Sequence, residues 1–127
     1  MIQMHVDAGK LAIGIVIKSL DGMTISHRLS RTDYSYATYN EGELRAIYEG
    51  MRTCLGMGED ELNIYTDSKV AYIYFYNAYN EDYLKRKESF VNLVALATLI
   101  RKLKPKFKHL KLSKISGKDN WADSLTK

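Results

Sequence analysis

The stretch 62–69, LNIYTDSK, lies in the middle of the chain and places an acidic residue between two predicted elements. Its first part, LNIYT, alternates apolar and polar residues, which is typical of a short strand with one buried side. Ser68 can cap a following tyrosine-rich helix, predicted over about 70–79. Asp67 therefore lies where a parallel strand meets a helix, and open sheets tend to bind ligands at this position.

Two longer helices are predicted on either side of this stretch. The first begins at about Asn40, presents one apolar face and stops at Gly56-Met57-Gly58. The second spans roughly 90–103, has the clearest apolar stripe in the chain and ends before Pro105. Acidic and basic residues at 80–88 predict a loop that leads into it. These helices would separate the central strand from its neighbours along the chain.

The remaining strands complete a predicted sheet of five. Segments 2–6 and 11–18 are rich in Ile and Val and too short for helices, and Asp21-Gly22 is a hairpin signal that leads into a third strand, MTISHRL. A loop is expected at 31–39 and a last strand at about 109–115. Hairpins pair antiparallel, whereas strands joined by helices cross over and lie parallel. The order βββαβααβα thus predicts an α/β fold, a mixed sheet with helices on both faces.

Length and composition indicate one soluble globular domain over 1–127. The chain is 46% hydrophobic and 27% charged, and its longest mostly apolar stretch is about half of a membrane span. The N-terminus shows no secretory signal, and the single cysteine, Cys54, fits a reducing compartment. We expect a cytoplasmic monomer that has no small-molecule cofactor and no contact with membranes.

Positive charge is concentrated in one region. The net charge is +4, yet Arg101 to Lys118 contains eight of the 19 Lys and Arg and no acid, which leaves 11 basic against 15 acidic residues elsewhere. Such a run can be a solvated surface, but beside a site for a polyanion it favours nucleic-acid binding. The candidate contacts are Lys104, Lys106, Lys108, Lys111 and Lys118.

Four acidic residues lie where strands end or helices begin: Asp7, Glu43, Asp67 and Asp123. Each has a structural alternative when it is considered alone. Asp7 could be a turn residue, Glu43 could close a capping box with Asn40, Asp67 could open a helix, and Asp123 could be a solvated acid in a short terminal helix from about Asn120.

The four acids carry more weight together. If the first, fourth and fifth strands are neighbours in the sheet, Asp7 and Asp67 project from adjacent strands, and the other two come from covering helices. Carboxylates held this close repel one another, and hard cations such as Mg²⁺ or Mn²⁺ relieve the repulsion. A cluster of this kind can hold two ions and hydrolyse a phosphodiester.

Several motifs together resemble a known family. They are Asp-x-Gly at the end of the first strand, GIVIK in the second, Asn-x-x-Glu-Leu-x-Ala-Ile from Asn40, Tyr-Thr-Asp-Ser-Lys around Asp67, and Gly-x-x-Asn-x-Ala-Asp-x-Leu around Asp123. The chain resembles ribonuclease H type 1 domains of the reverse-transcriptase-like branch. Its ending, ADSLTK, is similar to that of copia-type retroelement ribonuclease H domains.

The resemblance implies an endonuclease that cleaves the RNA strand of RNA–DNA hybrids with two Mg²⁺ or Mn²⁺ ions. By the family pattern Asp7 would bridge both ions, Asp123 would help to hold the ion that activates water, and Glu43 and Asp67 would hold the other. Asn40 and Ser68 would contact the nucleic acid. A hybrid is recognised by its shape and its 2′-hydroxyls, so we expect weak sequence preference.

The chain also departs from the family pattern. Only AGKLAI separates Asp7 from Gly14, no His precedes Asp123 between residues 113 and 120, and Asn120 stands three positions before Asp123 instead of four. We therefore expect that any incomplete part of the site is at Asp123. Two alternatives remain, a non-catalytic hybrid-binding or interaction module and a related nuclease that acts on branched DNA.

Aromatic residues near these motifs have structural interpretations as well. Trp121 is expected to anchor the terminal helix in the core, and His5 to be a surface or hydrogen-bonded histidine rather than a metal ligand. Four tyrosines of the 70–79 helix could stack on bases, but packing over a helix face is favoured. They are Tyr72, Tyr74, Tyr76 and Tyr79.

Overall fold

A computed structural model describes residues 1–19, 21–30, 38–87 and 90–126 of the chain. The strands are β1 Ile2–Ala8, β2 Ala12–Lys18, β3 Thr24–Ser30, β4 Glu61–Thr66 and β5 His109–Lys114. The α-helices are α1 Tyr39–Gly56, α2 Lys69–Tyr76, α3 Glu81–Arg86 and α4 Val91–Leu103. Short 3₁₀ turns lie at Lys104–Lys106, Gly117–Asp119 and Asp123–Thr126. Within the described ranges no helix is long and apolar enough to cross a membrane.

The five strands form one mixed sheet in the order β3-β2-β1-β4-β5. The hairpin strands β1, β2 and β3 pair antiparallel, whereas β4 is parallel to both β1 and β5. The predicted fold class is thus confirmed, including the adjacency of the first, fourth and fifth strands. Because these three strands run in one direction, their carboxyl ends lie together at one end of the sheet, where Thr66 pairs with Lys114.

Close approach at two glycines shows what covers each face of the sheet. A Cβ atom at Gly50 of α1 would overlap the Met4 side chain, so α1 packs directly on β1. A Cβ atom at Gly14 of β2 would lie 2.9 Å from the Ala122 carbonyl oxygen and 2.9 Å from Leu125 Cβ. Gly14 faces away from its core neighbour Ile15 because successive residues of a strand point to opposite faces. Helical segments therefore cover both faces, with the last turns of the chain on the face opposite α1.

Two helix positions differ from the sequence prediction. Residues 81–86 form α3 instead of a loop, because the Asn80 side chain accepts a hydrogen bond from the Tyr83 N–H and caps a short helix. Helix α1 is capped by Thr38, whose side chain accepts from the Glu41 N–H, so the alternative of a capping box between Asn40 and Glu43 does not apply. The loop predicted at 31–39 falls mostly on residues 31–37, which lie outside the described residues.

The short terminal helix predicted from about Asn120 is not an α-helix, since the last described residues form 3₁₀ turns. The buried Asn120 explains the difference. Its Nδ2 donates to the Val6 carbonyl oxygen at 2.7 Å, and its Oδ1 accepts from the Ala122 N–H at 3.0 Å. These bonds tie the segment 120–126 to β1, and we call this segment the C-terminal strap.

Candidate metal centre

Three of the four predicted acidic residues meet at the end of the sheet where β1 and β4 finish. Asp7 comes from the end of β1, Glu43 from the first turns of α1, and Asp67 directly follows β4. One carboxylate oxygen of each lies within 4.8 Å of the others. Asp7 and Glu43 are only 6% and 4% exposed, whereas Asp67 is half-buried. We call these three residues the acidic cluster.

Glu43 is directed at the sheet by hydrogen bonds to both carboxylate oxygens. The Ala8 N–H donates to Oε1 at 3.0 Å, and the Thr66 hydroxyl donates to Oε2 at 3.0 Å. The cap of α1 is Thr38, so Glu43 does not reach back to the helix start. Its side chain instead spans from the helix to the ends of β1 and β4.

Asp7 is contacted by a residue near the end of the chain. The hydroxyl of the buried Thr126 lies 3.0 Å from Asp7 Oδ2 and 2.9 Å from the Asp123 carbonyl oxygen. A hydroxyl has one proton, so Thr126 donates to one of these two acceptors at a time. The motif around Asp123 includes Thr126, and the motif around Asp67 includes Thr66, but sequence reasoning assigned neither hydroxyl a role.

The acidic cluster contains more negative charge than its surroundings offset. Burial, followed by the neighbouring Asp7 and then Asp67, raises the pKa of Glu43 to about 10. Burial and Asp7 also raise the pKa of Asp67. Among the described residues, no Lys or Arg forms an ion pair with any of the three acids. Hard divalent cations prefer oxygen ligands of this kind, so the donor set fits Mg²⁺ or Mn²⁺.

Asp123 lies beside the acidic cluster and outside the group whose oxygens converge. It belongs to the last 3₁₀ turn, is half-buried and lines the same cleft, which has a volume of about 400 Å³. Its charge contributes to the raised pKa of Asp67. Three carboxylates are thus held by the sheet and α1, and the fourth is carried by the C-terminal strap.

Asn40 and Ser68 line the rim of this cleft. The Ser68 hydroxyl lies 3.4 Å from Asn40 Oδ1 and accepts a hydrogen bond from the Ala71 N–H, so Ser68 caps α2 as predicted. Asn40 is within α1 and does not cap it. Both polar side chains therefore lie next to each other in the lining of the cleft, at the N-termini of α1 and α2.

The predicted basic contacts lie at different distances from the cleft. Lys118 is exposed in the turn that packs on Asp67, where a Cβ atom at Gly117 would lie 3.2 Å from Asp67 Oδ2. Lys111 is exposed in the middle of β5, and Lys106 and Lys108 are exposed before its start. The six residues of β5 span about 20 Å, so this last pair lies at the far end of the sheet.

Lys104 is turned towards the protein. Its ammonium donates to the Phe75 carbonyl oxygen and lies 3.9 Å from the centroid of the Phe75 ring. Burial lowers its pKa to about 8. This lysine therefore stabilises the end of α2 in addition to any contact that it makes with a partner.

Trp121 is not the core anchor that the sequence suggested. Its ring is 37% exposed and stacks on His5, with ring centroids 3.7 Å apart. The Lys18 ammonium lies 3.9 Å from the indole centroid. His5 is buried, and its Nδ1 accepts from the Trp121 N–H, so it is a hydrogen-bonded histidine as expected. Trp121 therefore packs the C-terminal strap against the sheet face opposite α1.

Comparison with known proteins gives matches at the level of structure. Neither a protein-family model nor a curated protein sequence matches the chain. Ribonuclease H1 from Halobacterium salinarum is 18% identical with a TM-score of 0.70, over 98% of this chain and 92% of that one. The N-terminal ribonuclease H domain of a Mycobacterium tuberculosis protein, solved as a maltose-binding protein fusion, is 18% identical with a TM-score of 0.77, over 98% and 88% of the two chains.

A third structure is similar over the same part of the chain. LC11 ribonuclease H1, solved in complex with an RNA/DNA hybrid, is 22% identical with a TM-score of 0.62, over 98% of this chain and 93% of that one. The copia-type branch suggested by the ADSLTK ending has no support among these three structures. The mixed sheet, its strand order and these similarities together identify the fold of this chain as ribonuclease H-like.

Proposed function

We propose that this protein is a metal-dependent endonuclease that hydrolyses the RNA strand of RNA–DNA hybrids with two bound Mg²⁺ or Mn²⁺ ions. The observation that carries the proposal is the convergence of Asp7, Glu43 and Asp67 without a compensating basic side chain among the described residues. A similar structure contains an RNA/DNA hybrid, which supports this class of substrate. We also propose that the enzyme acts as a monomer in the cytoplasm.

The residues of the acidic cluster are prepared to hold cations. Asp7 and Glu43 are buried and fixed by hydrogen bonds, so little side-chain freedom is lost when they bind a metal. Asp67 would complete the ligand set, and Asp123 would add a carboxylate from the C-terminal strap. Divalent cations bound there would lower the pKa of an attacking water and stabilise charge on the departing 3′ oxygen.

The cleft beside the cluster can receive one strand of a duplex. Asn40 and Ser68 present polar groups at its rim, and Lys69 lies in the same lining. Polar and cationic groups at helix N-termini favour phosphate oxygens. We infer that these residues position the strand whose phosphate faces the acidic cluster.

The proposal predicts a separation of cleavage from binding. Asp7→Asn and Asp67→Asn should each reduce cleavage of a labelled hybrid to background and leave its dissociation constant within about threefold of wild type, because removing an acid weakens metal binding and not phosphate attraction. Asp60→Asn is the matched control, since Asp60 is exposed and precedes β4 at the far end of the sheet. Full Mg²⁺-dependent activity in either cluster variant would contradict the proposal.

A substrate panel separates the alternatives. Labelled RNA–DNA hybrid, double-stranded RNA, double-stranded DNA and a branched DNA junction are each incubated with Mg²⁺, with Mn²⁺ and with EDTA. Cleavage of the hybrid alone supports the proposal. Binding without cleavage would favour a non-catalytic module, and cutting of the junction would favour a branched-DNA nuclease.

A further inference from the structure

Two exposed tyrosines on α2 lie beside the edge strand β5. Tyr72 is 37% exposed and Tyr76 is 46% exposed, and their ring centroids are 5.0 Å apart in an edge-to-face arrangement. The predicted packing role holds for Tyr74, which is 3% exposed and belongs to the core. Tyr72 and Tyr76 therefore keep part of each ring on the outer surface of the domain.

Hydrogen bonds hold the Tyr76 ring in position. Its hydroxyl donates to the Leu112 carbonyl oxygen at 2.8 Å and accepts from the Leu112 N–H at 3.0 Å. Both bonds are made by the hydroxyl, so the faces of the ring take no part in them. An aromatic ring that is fixed before binding loses little entropy when a second ring stacks on it. This geometry favours a planar ligand over a flexible aliphatic one.

Positive charge accompanies these rings. Lys114 is exposed, and it lies on the same face of β5 as Leu112 because the two are separated by one residue. It is at the end of β5 nearest the cleft, level with Thr66 and with the start of α2. Lys104 places its ammonium 5.7 Å from the Tyr76 ring centroid. We call Tyr72, Tyr76, Lys104 and Lys114 the edge strip.

We propose that the edge strip binds an unpaired nucleic-acid strand that continues from a duplex in the cleft. Two neighbouring rings with a lysine at either end suit a single strand, whose bases stack on aromatic side chains while its phosphates attract cations, and stacking needs bases that are not already paired. The positive charge of the strip complements the phosphates and disfavours a basic partner. The inference rests on the proposed function only for the duplex in the cleft, since strand binding by the strip does not require cleavage.

The test compares hybrids with and without a single-stranded overhang of about six nucleotides. Fluorescence anisotropy is measured in EDTA, where cleavage does not occur, with the overhang placed at each end in turn as DNA or RNA. We expect wild type to bind one overhang hybrid more tightly than the blunt hybrid. Tyr72→Ala should weaken binding of that overhang hybrid by at least about fivefold and leave the blunt hybrid within about twofold.

Matched variants separate stacking from general damage. Tyr72→Phe keeps the ring and should bind like wild type, and Phe90→Ala removes a 54% exposed ring from the start of α4 and should also bind like wild type. Lys114→Gln should flatten the salt dependence for the overhang hybrid by about 0.7 in log–log slope, whereas Arg52→Gln on α1 should not. Melting temperatures confirm that each variant is folded.

The outcomes distinguish this inference from the proposed function. It is overturned if Tyr72→Ala binds both hybrids like wild type, or if it weakens both equally. A protein that binds overhang hybrids through Tyr72 and cleaves none of them would retain the edge strip and lose the proposed nuclease activity. A protein that cleaves hybrids and shows no preference for an overhang would support the proposed nuclease activity and contradict strand binding by the edge strip.

Discussion

Two threonine hydroxyl groups contact and orient carboxylates of the acidic cluster. Thr66 bonds to Glu43, and Thr126 lies within hydrogen-bond distance of Asp7. Partners that orient metal-binding carboxylates often matter almost as much for affinity as the ligands themselves. The sequence located the acids because their positions follow strand ends and helix starts. It did not reveal the hydroxyls, since their roles depend on contacts across the fold.

Removal of the Thr126 hydroxyl should weaken metal binding. We expect Thr126→Ala to lower the affinity for Mn²⁺, measured by calorimetry, by about tenfold, because the Asp7 carboxylate is then less well oriented. Thr126→Ser keeps the hydroxyl and should restore the affinity to within about threefold of wild type. Thr98→Ala is the control, since that hydroxyl bonds to the Val94 carbonyl oxygen inside α4. Equal affinities for the Ala and Ser variants would contradict the prediction.

The raised pKa of Glu43 predicts how stability changes with pH when metal is removed. Its pKa is about 10 in the folded protein and about 4.5 in the unfolded chain, so between these values the folded state holds a proton that the unfolded state has released. Stability in EDTA should therefore fall as pH rises through this range, by at most about 1.4 kcal/mol per pH unit from this group.

Chemical denaturation at about pH 5, 7 and 9 in EDTA checks this expectation. Glu43→Gln should show a shallower decline than wild type, because the amide does not titrate. Glu81→Gln is the control, since Glu81 is exposed in the first turn of α3. If wild type and Glu43→Gln decline in parallel, Glu43 is ionised in the folded protein and this prediction fails.

At the scale of elements, the C-terminal strap links a sheet face to the cluster. Asn120 holds it to β1, Arg28 Nε donates to the Leu125 carbonyl oxygen from β3, and Thr126 reaches Asp7. Gly14 permits the strap to lie directly on β2. A displaced strap would therefore move Asp123 and Thr126 away from the acidic cluster together.

A methyl group at Gly14 should displace the strap. We expect Gly14→Ala to lower the free energy of unfolding by about 1–3 kcal/mol, because its Cβ would lie 2.9 Å from backbone and side-chain atoms of the strap, and to lower cleavage as well. Gly56→Ala is the matched control, since a Cβ atom there meets nothing within 4 Å. Denaturant titration and the hybrid cleavage assay check both effects. Wild-type stability and wild-type cleavage for Gly14→Ala would contradict this prediction.

Elements that depend on local pattern were predictable, and elements that depend on tertiary contacts were not. The hairpin strands and α4 follow from alternation and an apolar stripe. Helix α3 has a capping Asn80, but only Leu84 of its residues is buried, so it shows no apolar periodicity. The sequence of the strap predicts the start of a helix. The hydrogen bonds of Asn120 to Val6 and Ala122 instead hold the strap against β1, where it forms a 3₁₀ turn.

At the scale of the whole molecule, the basic run from Arg101 to Lys118 extends along the edge strand β5. Gly117, the residue before Lys118, packs against Asp67, whereas Lys106 and Lys108 lie beyond the other end of β5. The sequence located the run, but its distance from the acids depends on the direction of β5. Electrostatic attraction along this edge should therefore depend on how far a bound duplex extends.

Duplex length should reveal the two ends of the basic edge. We expect Lys106→Gln with Lys108→Gln to weaken binding of a hybrid of about 20 base pairs and to leave one of about 6 base pairs unchanged, because the pair lies about 20 Å from the cleft. Lys118→Gln should weaken binding of both hybrids. Salt titrations of each dissociation constant check this, and equal losses at both lengths would contradict it.

The contact between Asp7 and Thr126 joins residues 119 positions apart. During synthesis, β1 leaves the ribosome long before the strap, and contacts of such sequence separation form late in folding. A nascent chain can therefore build its hairpin strands while Asp7 still lacks the hydroxyl that orients it. Full affinity for metal would then arise only when translation reaches the strap, so the order of synthesis itself would delay the proposed nuclease activity until the strap has been made.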